Sequence, residues 1–410
     1  MKLRFLFISH FLFSGCLGKD ILFENFLDVH CDSLNNCQEF IHEPVYVDLP
    51  YQLRGTIDIS GLIVDLKYNG NSVKILELGN IMSSALTGHE ALYGRDITFR
   101  RFWNYVRSFG LHVWCVNLGF PRDCAMYNSY KKFSTFGAYP VCGMSDLLTD
   151  SLFRKLHQKN LYSSYENIES FNGMIVFNKL YPVKKLKKKD PMQKVGYLFL
   201  NYVAHSYGFD KQRMSLLFDN NWLKQFRPTC KVYKKEYSDK LVEEIKNDFE
   251  SDILVIKPIN ASRGWGVIVV KKSDLAQTLK TIFCDIEGLE SMDDSYSYWA
   301  KYKRDEFLVE SFERSKHVVV DGKKYDGTMR VVFSLASNNG QIELQFLGSY
   351  WKLPKKSIDD FGSLTEKHKS KIGDGKGMAK VDECDARHVQ NLLADLLPKL
   401  YVRMIENELC

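Results

Sequence analysis

Alternating apolar and polar positions are clearest between residues 55 and 80, where they predict a β-hairpin. The stretch TIDISGLIVDLKY is rich in β-branched residues, and SVKILEL returns with the same alternation. Asn69 and Gly70 lie between the two stretches, and Asn-Gly favours the tight turns that join antiparallel strands. The pattern therefore predicts two paired strands and their turn.

The apolar spacing then changes to that of an amphipathic helix in DITFRRFWNYVRSF. Four apolar side chains would share one face of this helix: Phe99, Phe102, Trp103 and Val106. Gly110 predicts the end of the helix, and the strand LHVWCVN follows.

Further elements keep alternating along the chain. A strand is predicted at residues 172–178 and a helix from about Lys194 to Tyr207. After Leu241 the pattern gives a helix, the buried strand DILVIKP, a glycine-containing loop, the strand GVIVV and another helix. The strand EFLVESF and a hairpin come next, and a long apolar-faced helix ends the sequence. Such alternation is typical of an α/β or α+β fold.

Composition fits a globular protein and excludes little else. The 410 residues are 45% hydrophobic, 13% aromatic and 26% charged, which is enough to form two or three cores. The net charge of +6 is a small excess for this length. Nucleic-acid binding usually needs a concentrated basic surface, so no nucleic-acid partner is predicted.

The cysteines favour a reducing compartment and hence the cytoplasm. Ten cysteines include no CxxC pair and no Cys/His spacing suited to zinc. Several occupy apolar stretches, as Cys115 does, where a reduced cysteine serves as a small apolar residue.

The N-terminal segment leaves a second localisation open. Lys2 and Arg4 precede the apolar run FLFISHFLF, and FSGC, ending at Cys16, resembles a bacterial lipoprotein cleavage box. Residues 1–16 would then be a signal or lipid anchor of a secreted or anchored protein. The run is too short to cross a bilayer as a helix, and no other stretch reaches transmembrane length.

The segment Ile253–Val270 carries the sharpest chemical signal. A strand ends in Lys257 and Pro258, and a loop containing Gly264 and Gly266 leads into a second strand. Glycines let backbone N–H groups approach phosphate oxygens, and a lysine adds compact positive charge. The spacing fits neither a Walker loop nor a dinucleotide fingerprint, whereas a plain β-turn remains an alternative.

This segment resembles the lysine-proline strand end and glycine loop of ATP-grasp proteins. Four other segments resemble the family in the same order: FDKQRMSLLF, RPTCKVY, FLVESF and KYDGTMRVVF. The similarity is to D-alanine:D-alanine ligases, glutathione synthetase and tubulin tyrosine ligase-like proteins. It implies an ATP-grasp domain over residues 201–410, a pre-ATP-grasp-like region over 55–200 and an N-terminal segment over 1–54.

The resemblance implies a role for each matching residue. Lys211 and Lys257 would neutralise the α- and β-phosphates of ATP, and Arg330 and Lys352 would face the γ-phosphate or an acylphosphate. The loop backbone would close over the phosphates, at Ser262, Arg263, Gly264 and Gly266. The adenine edge would be held by the hinge segment, namely Glu310, Ser311 and Phe312.

The acidic residues that bind Mg²⁺ in the family are not found at the expected place. In the family, an aspartate and a Glu-x-Asn pair follow the long C-terminal helix, whereas Glu406 and Asn407 are adjacent here and cannot share one face of a strand. The ligands could lie elsewhere in the chain, the sequence could be truncated, or turnover could be lost. Four aspartates are the candidates that remain: Asp326, Asp359, Asp360 and Asp374.

Two principal functions follow from the resemblance. The first is an ATP- and Mg²⁺-dependent ligase that activates a carboxylate as an acylphosphate for attack by an amine of a small-molecule or peptide substrate. The second is an ATP-binding protein of the same fold without catalysis, and the unassigned metal ligands favour it. On that basis the sequence predicts ATP binding with weak Mg²⁺ dependence and little turnover.

Overall fold

The computed structural model describes most of the chain from residue 44 onward. The described residues are 44–48, 56–80, 83–94, 97–109, 114–117, 139–142, 174–177, 197–200, 203–204, 207–208, 210–261, 264–370 and 377–409. All of them belong to one compact unit that covers residues 42–410. The predicted signal or anchor at residues 1–16 and the loop residues Ser262 and Arg263 lie outside the described residues.

Sixteen strands occur within the described part of the chain. They are β1 (Val45–Tyr46), β2 (Thr56–Tyr68), β3 (Val73–Asn80), β4 (Trp114–Asn117), β5 (Tyr139–Cys142), β6 (Met174–Phe177), β7 (Tyr197–Leu200), β8 (Cys230–Lys234), β9 (Ile253–Pro258), β10 (Ile268–Lys271), β11 (Glu306–Ser311), β12 (Val318–Val320), β13 (Lys323–Tyr325), β14 (Thr328–Asn338), β15 (Gln341–Lys352) and β16 (Met378–Ala379).

Nine α-helices accompany the strands in these same residues. They are α1 (Ser83–Tyr93), α2 (Ile97–Ser108), α3 (Lys211–Leu217), α4 (Asp239–Asp248), α5 (Leu275–Phe283), α6 (Ser297–Lys301), α7 (Leu364–His368), α8 (Glu383–Ala394) and α9 (Leu396–Leu409). Short 3-10 turns lie at Leu223–Phe226, Lys272–Asp274 and Leu289–Ser291. None of these helices is long and apolar enough to cross a membrane.

A ten-stranded sheet joins the two ends of the described sequence. Its strand order is β1-β15-β14-β2-β7-β6-β4-β5, with β16 paired to β15 and β3 paired to β2. Strand β2 is antiparallel to β14 and β3 but parallel to β7, so it joins an antiparallel half to a parallel half. The predicted domain boundary at residue 200 therefore does not divide this sheet, because strands from before and after that residue belong to it.

One core lies against this large sheet. Apolar side chains of β2, such as Leu62, Val64 and Leu66, pack in the same buried cluster as those of the last two helices. Leu396, Leu400 and Met404 are buried there as the helical spacing predicts, and Leu392 is partly buried. The single predicted C-terminal helix is in fact two, because α8 ends before Asp395 and α9 begins after it.

A second sheet, of four strands in the order β10-β9-β11-β8, is antiparallel throughout. Its core is separate from the first and buries side chains of α4, α5 and α6, including Ile245, Leu279 and Trp299. A two-stranded ribbon is formed by β12 and β13. Each sheet thus has its own apolar layer, which leaves its other face available to line a cleft.

The mixed fold class predicted from the sequence is confirmed, and so is the hairpin. Strands β2 and β3 pair across the Asn69-Gly70 turn, where Gly70 has φ of 106° and the Asn69 side chain accepts hydrogen bonds from two following backbone N–H groups. A left-handed φ of this kind favours glycine.

The helix predicted from Lys194 to Tyr207 is wrong. The segment YLFL forms strand β7, which is parallel to both β2 and β6. A short apolar run in the middle of a parallel sheet has no alternation, so periodicity cannot distinguish it from a buried helix. YLFL is a strand because it pairs with its neighbours β2 and β6 in the sheet.

Candidate functional site

The two sheets line a common cleft of about 800 Å³, counting its space open to solvent. The hairpin β2–β3 contributes Asp65, Lys67, Leu76 and Glu77 to the lining. The four-stranded sheet contributes residues of β9, β10 and β11, and the large sheet adds Thr328 and Lys352. Charged and polar side chains from several elements converge on this cleft among apolar ones, which is the arrangement expected of a small-molecule site. The cleft is therefore the candidate functional site.

One wall of the cleft holds a buried carboxylate between two cations. Glu310, on β11, is only 1% exposed; its Oε1 accepts a hydrogen bond from Arg227 at 2.9 Å and its Oε2 accepts one from Lys257. Arg227 also donates to the Ser215 hydroxyl at 3.0 Å. We name this the Glu310 cluster: Glu310, Lys257 and Arg227.

The Glu310 cluster changes how the predicted hinge can act. Both carboxylate oxygens of Glu310 are bonded to cations, whereas Ser311 and Phe312, the other two predicted hinge residues, also line the cleft. Arg227 was missed by the sequence reasoning, which treated RPTCKVY only as an extended segment. A buried arginine needs a buried carboxylate, but the sequence does not show which one.

The opposite wall holds a similar group. Arg330, on β14, donates two hydrogen bonds to Asp65, from Nε at 2.7 Å and from Nη2 at 2.8 Å. Lys352, on β15, donates to Asp65 Oδ2 at 2.8 Å. All three side chains are buried. We name this the Asp65 cluster: Asp65, Arg330 and Lys352.

Burial and charge act against each other in the Asp65 cluster. Burial alone would raise the pKa of Asp65, but the charges and hydrogen bonds of Arg330 and Lys352 outweigh it and lower that pKa below its ordinary value. The pKa of Lys352 is lowered by its own burial, although Asp65 partly offsets the effect. Asp65 is therefore held as a carboxylate between two cationic side chains.

A second carboxylate lies directly across the hairpin from Asp65. In the register of β2 and β3, Asp65 is paired with Glu77, whose carboxylate also lies 3.6 Å from Lys211 Nζ. A register shift between Asp65 and Leu66 brings Glu77, rather than Leu76, opposite Asp65. Two carboxylates facing each other repel unless cations lie nearby. This acidic pair was missed by the sequence reasoning because the bulge cannot be derived from the turn.

Lys211 enters the cleft from the start of α3. Asp210 caps this helix by accepting hydrogen bonds from the backbone N–H groups of Gln212 and Arg213. Lys211 is 7% exposed, and its Nζ donates to the carbonyl oxygen of Ala261, just before the glycine loop. The predicted phosphate-facing lysine thus lies close to both the loop and Glu77.

The glycine loop needs glycine at both predicted positions. Gly264 and Gly266 have φ of 74° and 70°, and a Cβ on Gly266 would lie 2.4 Å from Pro258 Cγ. The N–H of Gly266 donates to the Asp294 carbonyl at 3.0 Å, and its carbonyl accepts from Trp299 Nε1 at 2.9 Å. Gly266 is therefore anchored, whereas Gly264 lines the cleft.

A segment after β15 covers one side of the cleft, and nothing in its sequence predicted this position. Thr365, on α7, exchanges hydrogen bonds with both the N–H and the carbonyl of Val269, at 3.0 and 3.3 Å. Ser370 bonds to the Thr328 hydroxyl and to the Lys352 carbonyl. The segment, residues 364–370, therefore connects the four-stranded sheet to the large sheet.

The predicted residues that line the cleft are Lys211, Lys257, Gly264, Glu310, Ser311, Phe312 and Lys352. Arg330 reaches the same place through Asp65. The described residues contain no cluster of three or more histidines, cysteines or carboxylates suited to a metal. Asp360 lies on the surface with Lys323, Asp359 is exposed, and Asp374 is outside the described residues. Asp326 is bonded to Lys67 and His368.

Comparisons with solved structures give matches at low sequence identity. A putative gamma-glutamylcysteine synthetase from Methylobacillus flagellatus matches with a TM-score of 0.41 and 11% identity over 87% of this chain and 91% of that one. D-alanyl-alanine synthetase A from Vibrio cholerae matches with a TM-score of 0.33 and 10% identity, over 72% and 81%. No protein-family model matches the sequence, and no curated protein does.

A biotin carboxylase domain from Hydrogenobacter thermophilus, solved with ADP, magnesium and bicarbonate, matches with a TM-score of 0.29 and 9% identity, over 76% of this chain and 67% of that one. The matched synthetases are of the kind that the sequence resembles. The function has to be inferred from the cleft itself.

Proposed function

We propose that the cleft binds ATP, with the base beside Ser311 and Phe312 and the phosphates toward the cationic side chains. The observation that carries this proposal is the convergence of Lys211, Lys257 and the Asp65 cluster on one cleft from four separate parts of the chain. Together with Arg227, Glu77 and Glu310 they place five cations against three carboxylates. Such an excess suits a polyphosphate.

We further propose that Asp65 and Glu77 hold the magnesium ion that accompanies ATP. Mg²⁺ is commonly bound by one or two carboxylates, with waters and substrate phosphates as its other ligands, so a pair is sufficient. The donor set fits this chemistry, because the two residues are cross-strand partners and both line the cleft beside the cations proposed for the phosphates. When bound, the ion would neutralise charge on the phosphates. The acidic pair would then precede the other nucleotide-binding segments in the chain, whereas it follows them in the family.

The reaction that suits this arrangement is ATP-dependent ligation. An oxygen of the substrate carboxylate attacks the γ-phosphorus, ADP leaves, and an acylphosphate forms. An amine then attacks the acyl carbon, and phosphate leaves. The protein's part is to hold the transferring phosphoryl group, which Arg330 can do with a fixed fork of donors and Lys352 with a point charge. No side-chain nucleophile is needed.

ATP binding without catalysis is the second candidate. It is favoured by the Asp65 cluster itself, since both oxygens of Asp65 are hydrogen-bonded to Arg330 or Lys352. If these bonds persisted with nucleotide bound, both oxygens of Asp65 would stay bonded to cations and Asp65 would be a poor ligand for a metal ion, whereas Arg330 and Lys352 would keep other N–H donors for the phosphates. Both candidates bind ATP, so a measurement of turnover is needed to distinguish the ligase from the protein without catalysis.

The test combines calorimetric titration of ADP at several Mg²⁺ concentrations with an assay of ADP release over mixtures of carboxylates and amines. Mg²⁺ should tighten ADP binding about tenfold or more, and Glu77→Gln should remove most of this increase, since a neutral amide is a poor ligand for Mg²⁺. Glu243→Gln, in an exposed pair with Lys246, is the matched control and should keep the increase.

The outcomes separate the alternatives. Mg²⁺-dependent binding with ADP release supports the ligase, and Mg²⁺-dependent binding without release over all mixtures supports the protein without catalysis. A wild-type chain that binds neither ADP nor ATP contradicts both. Equal Mg²⁺ dependence in wild type and Glu77→Gln contradicts the proposed metal ligands.

A further inference from the structure

His368 lies at the base end of the cleft and belongs to none of the segments that resemble a known family. Its ring packs edge-on against the ring of Phe312, with the centroids 4.8 Å apart. It lines the cleft together with Ser311, and the residue as a whole is 8% exposed. The proposed position of the base therefore places His368 within reach of its edge.

Asp326 determines which nitrogen of His368 carries the proton. The Asp326 carboxylate lies 2.7 Å from Nδ1 of His368, accepts the Ser315 N–H at 2.8 Å and pairs with Lys67 at 3.1 Å. Burial alone would raise the pKa of Asp326, but Lys67 and the hydrogen bonds lower it below its ordinary value. An ionised carboxylate can only accept, so Nδ1 donates the hydrogen bond to Asp326. In the neutral ring, Nε2 then remains as an acceptor.

The ring is held from two sides. Helix α7 begins with a capping box, in which Ser363 and Glu366 satisfy each other's backbone N–H groups. Thr365 fixes the helix to Val269 of β10, and His368 itself reaches Asp326 beside β14. A hydrogen-bond acceptor that both sheets hold in place can discriminate between ligands, because it cannot turn to suit a different one.

We propose that Nε2 of His368 accepts a hydrogen bond from the 6-amino group of adenine and so determines the preference of the cleft for adenine nucleotides. This inference rests on the proposed nucleotide site. Adenine carries a donor at position 6, whereas hypoxanthine and guanine carry an acceptor oxygen there. An acceptor in the protein pairs with the amino group and repels the oxygen.

The test measures the affinity of the full chain for three nucleoside diphosphates, which avoids turnover. ADP is compared with purine riboside diphosphate, which lacks only the 6-amino group, and with inosine diphosphate, which has an oxygen in its place. Wild type should bind ADP about tenfold more tightly than either analogue, as expected for one hydrogen bond within a protein. His368→Phe, which keeps a ring against Phe312, should reduce the preference to less than about twofold.

Two further variants make the result specific. His368→Gln keeps an acceptor oxygen, so it should retain most of the preference for ADP over purine riboside diphosphate. Because the glutamine amide can also donate a hydrogen bond, the affinity for inosine diphosphate should increase. His317→Gln changes an exposed histidine outside the cleft and should leave all three affinities as in wild type.

Loss of the preference in His368→Phe with ADP still bound supports the inference. An unchanged preference in that variant, or no preference in wild type, overturns it while leaving nucleotide binding intact. If His368→Phe does not fold, His368→Gln decides: the inference fails when inosine diphosphate gains no affinity relative to ADP. A wild-type chain that binds none of the three nucleotides overturns the proposed function, and this inference with it.

Discussion

The two walls of the cleft are built on the same plan but differ in one carboxylate. Each wall holds an acid between two cations: Glu310 between Lys257 and Arg227, and Asp65 between Arg330 and Lys352. The cross-strand neighbours of Glu310 are Cys230 and Val255, which carry no charge. The cross-strand neighbour of Asp65 on β3 is a second carboxylate, Glu77.

That difference assigns different chemistry to the two walls. A wall with one fully paired carboxylate beside an apolar valine suits a flat, neutral group such as a base, next to the phosphate proposed for Lys257. A wall with two facing carboxylates and nearby cations suits phosphates accompanied by a divalent ion. The two walls together therefore match the two ends of the proposed nucleotide site, although they were assembled from distant parts of the chain.

The largest effect is expected from removing the central acid of each wall. Asp65→Asn leaves Arg330 and Lys352 buried without their carboxylate, and Glu310→Gln does the same to Lys257 and Arg227. Breaking a buried ion pair in this way costs about 3–5 kcal/mol of unfolding free energy. Chemical denaturation should show this loss in both variants. Titration of ADP should then separate them, since only Asp65→Asn should lose the dependence on Mg²⁺.

Asp360→Asn is the control for the loss of a surface ion pair, because Asp360 pairs with the exposed Lys323. It should change the unfolding free energy by less than about 1 kcal/mol. If Asp65→Asn were as stable as this control, the Asp65 cluster would not be a buried ion pair in solution. If Glu310→Gln also lost Mg²⁺ dependence, the distinction between the two walls would be wrong.

Mild acid should destabilise the large sheet before the four-stranded sheet. His89 packs against Tyr93 and beside Tyr350, and its burial, together with the charge of Arg101, lowers its pKa from 6.5 to about 4. Since the unfolded chain binds the proton more readily, the stabilisation present above pH 6.5 is lost as the pH falls, by about 2 kcal/mol between pH 6.5 and pH 4.5. No histidine lies between residues 211 and 316, which include the four-stranded sheet.

Hydrogen exchange at pH 6.5 and at pH 4.5 measures this difference. Once corrected for intrinsic exchange, amides of β14 and β15 should lose protection relative to those of β9 and β11. His89→Gln, which cannot titrate, should remove the difference, whereas the exposed His317→Gln should not. Equal losses of protection in both sheets would show that His89 is not the titrating group.

The sequence predicted the Glu310 wall better than the Asp65 wall for a physical reason. Lys257, Gly264, Gly266 and Glu310 lie within one run of strands and loops, so their order along the chain carried the resemblance. Asp65 is separated from Arg330 by 265 positions, and no local pattern connects them. Glu77 required a bulge in the hairpin, which shifts the register by one residue and so moves side chains to the other face.

The same argument explains why residues 364–370 were missed. Their sequence is polar and charged, which is typical of an exposed loop, and their role depends on hydrogen bonds to Val269 and Asp326. The helix predicted at Lys194 to Tyr207 failed similarly, because the neighbours β2 and β6 determine that YLFL is a strand. Local patterns predicted the elements, whereas long-range pairing determined which side chains meet.

The smallest effect expected here concerns Lys257, which would have two functions in the Glu310 wall. Its ammonium pairs with Glu310 and lines the cleft, where the resemblance assigns it to a phosphate. Lys257→Ala should weaken ATP binding by at least about 1.5 kcal/mol, or roughly tenfold, the lower range for a charge-assisted hydrogen bond. Because Arg227 still pairs with Glu310 in this variant, the unfolding free energy should fall less than in Glu310→Gln.

Lys231→Ala is the matched control, since Lys231 lies on β8 of the same sheet but pairs with Glu244 and Asp248 on the exposed side. Calorimetric titration should find its ATP affinity equal to that of wild type. Unchanged affinity in a folded Lys257→Ala would remove this lysine from the phosphate site and leave it only the task of neutralising Glu310. The phosphates would then be bound by Lys211 and the Asp65 wall alone. The Glu310 wall would contribute no cation to them, so the two walls would differ in function as well as in their carboxylates.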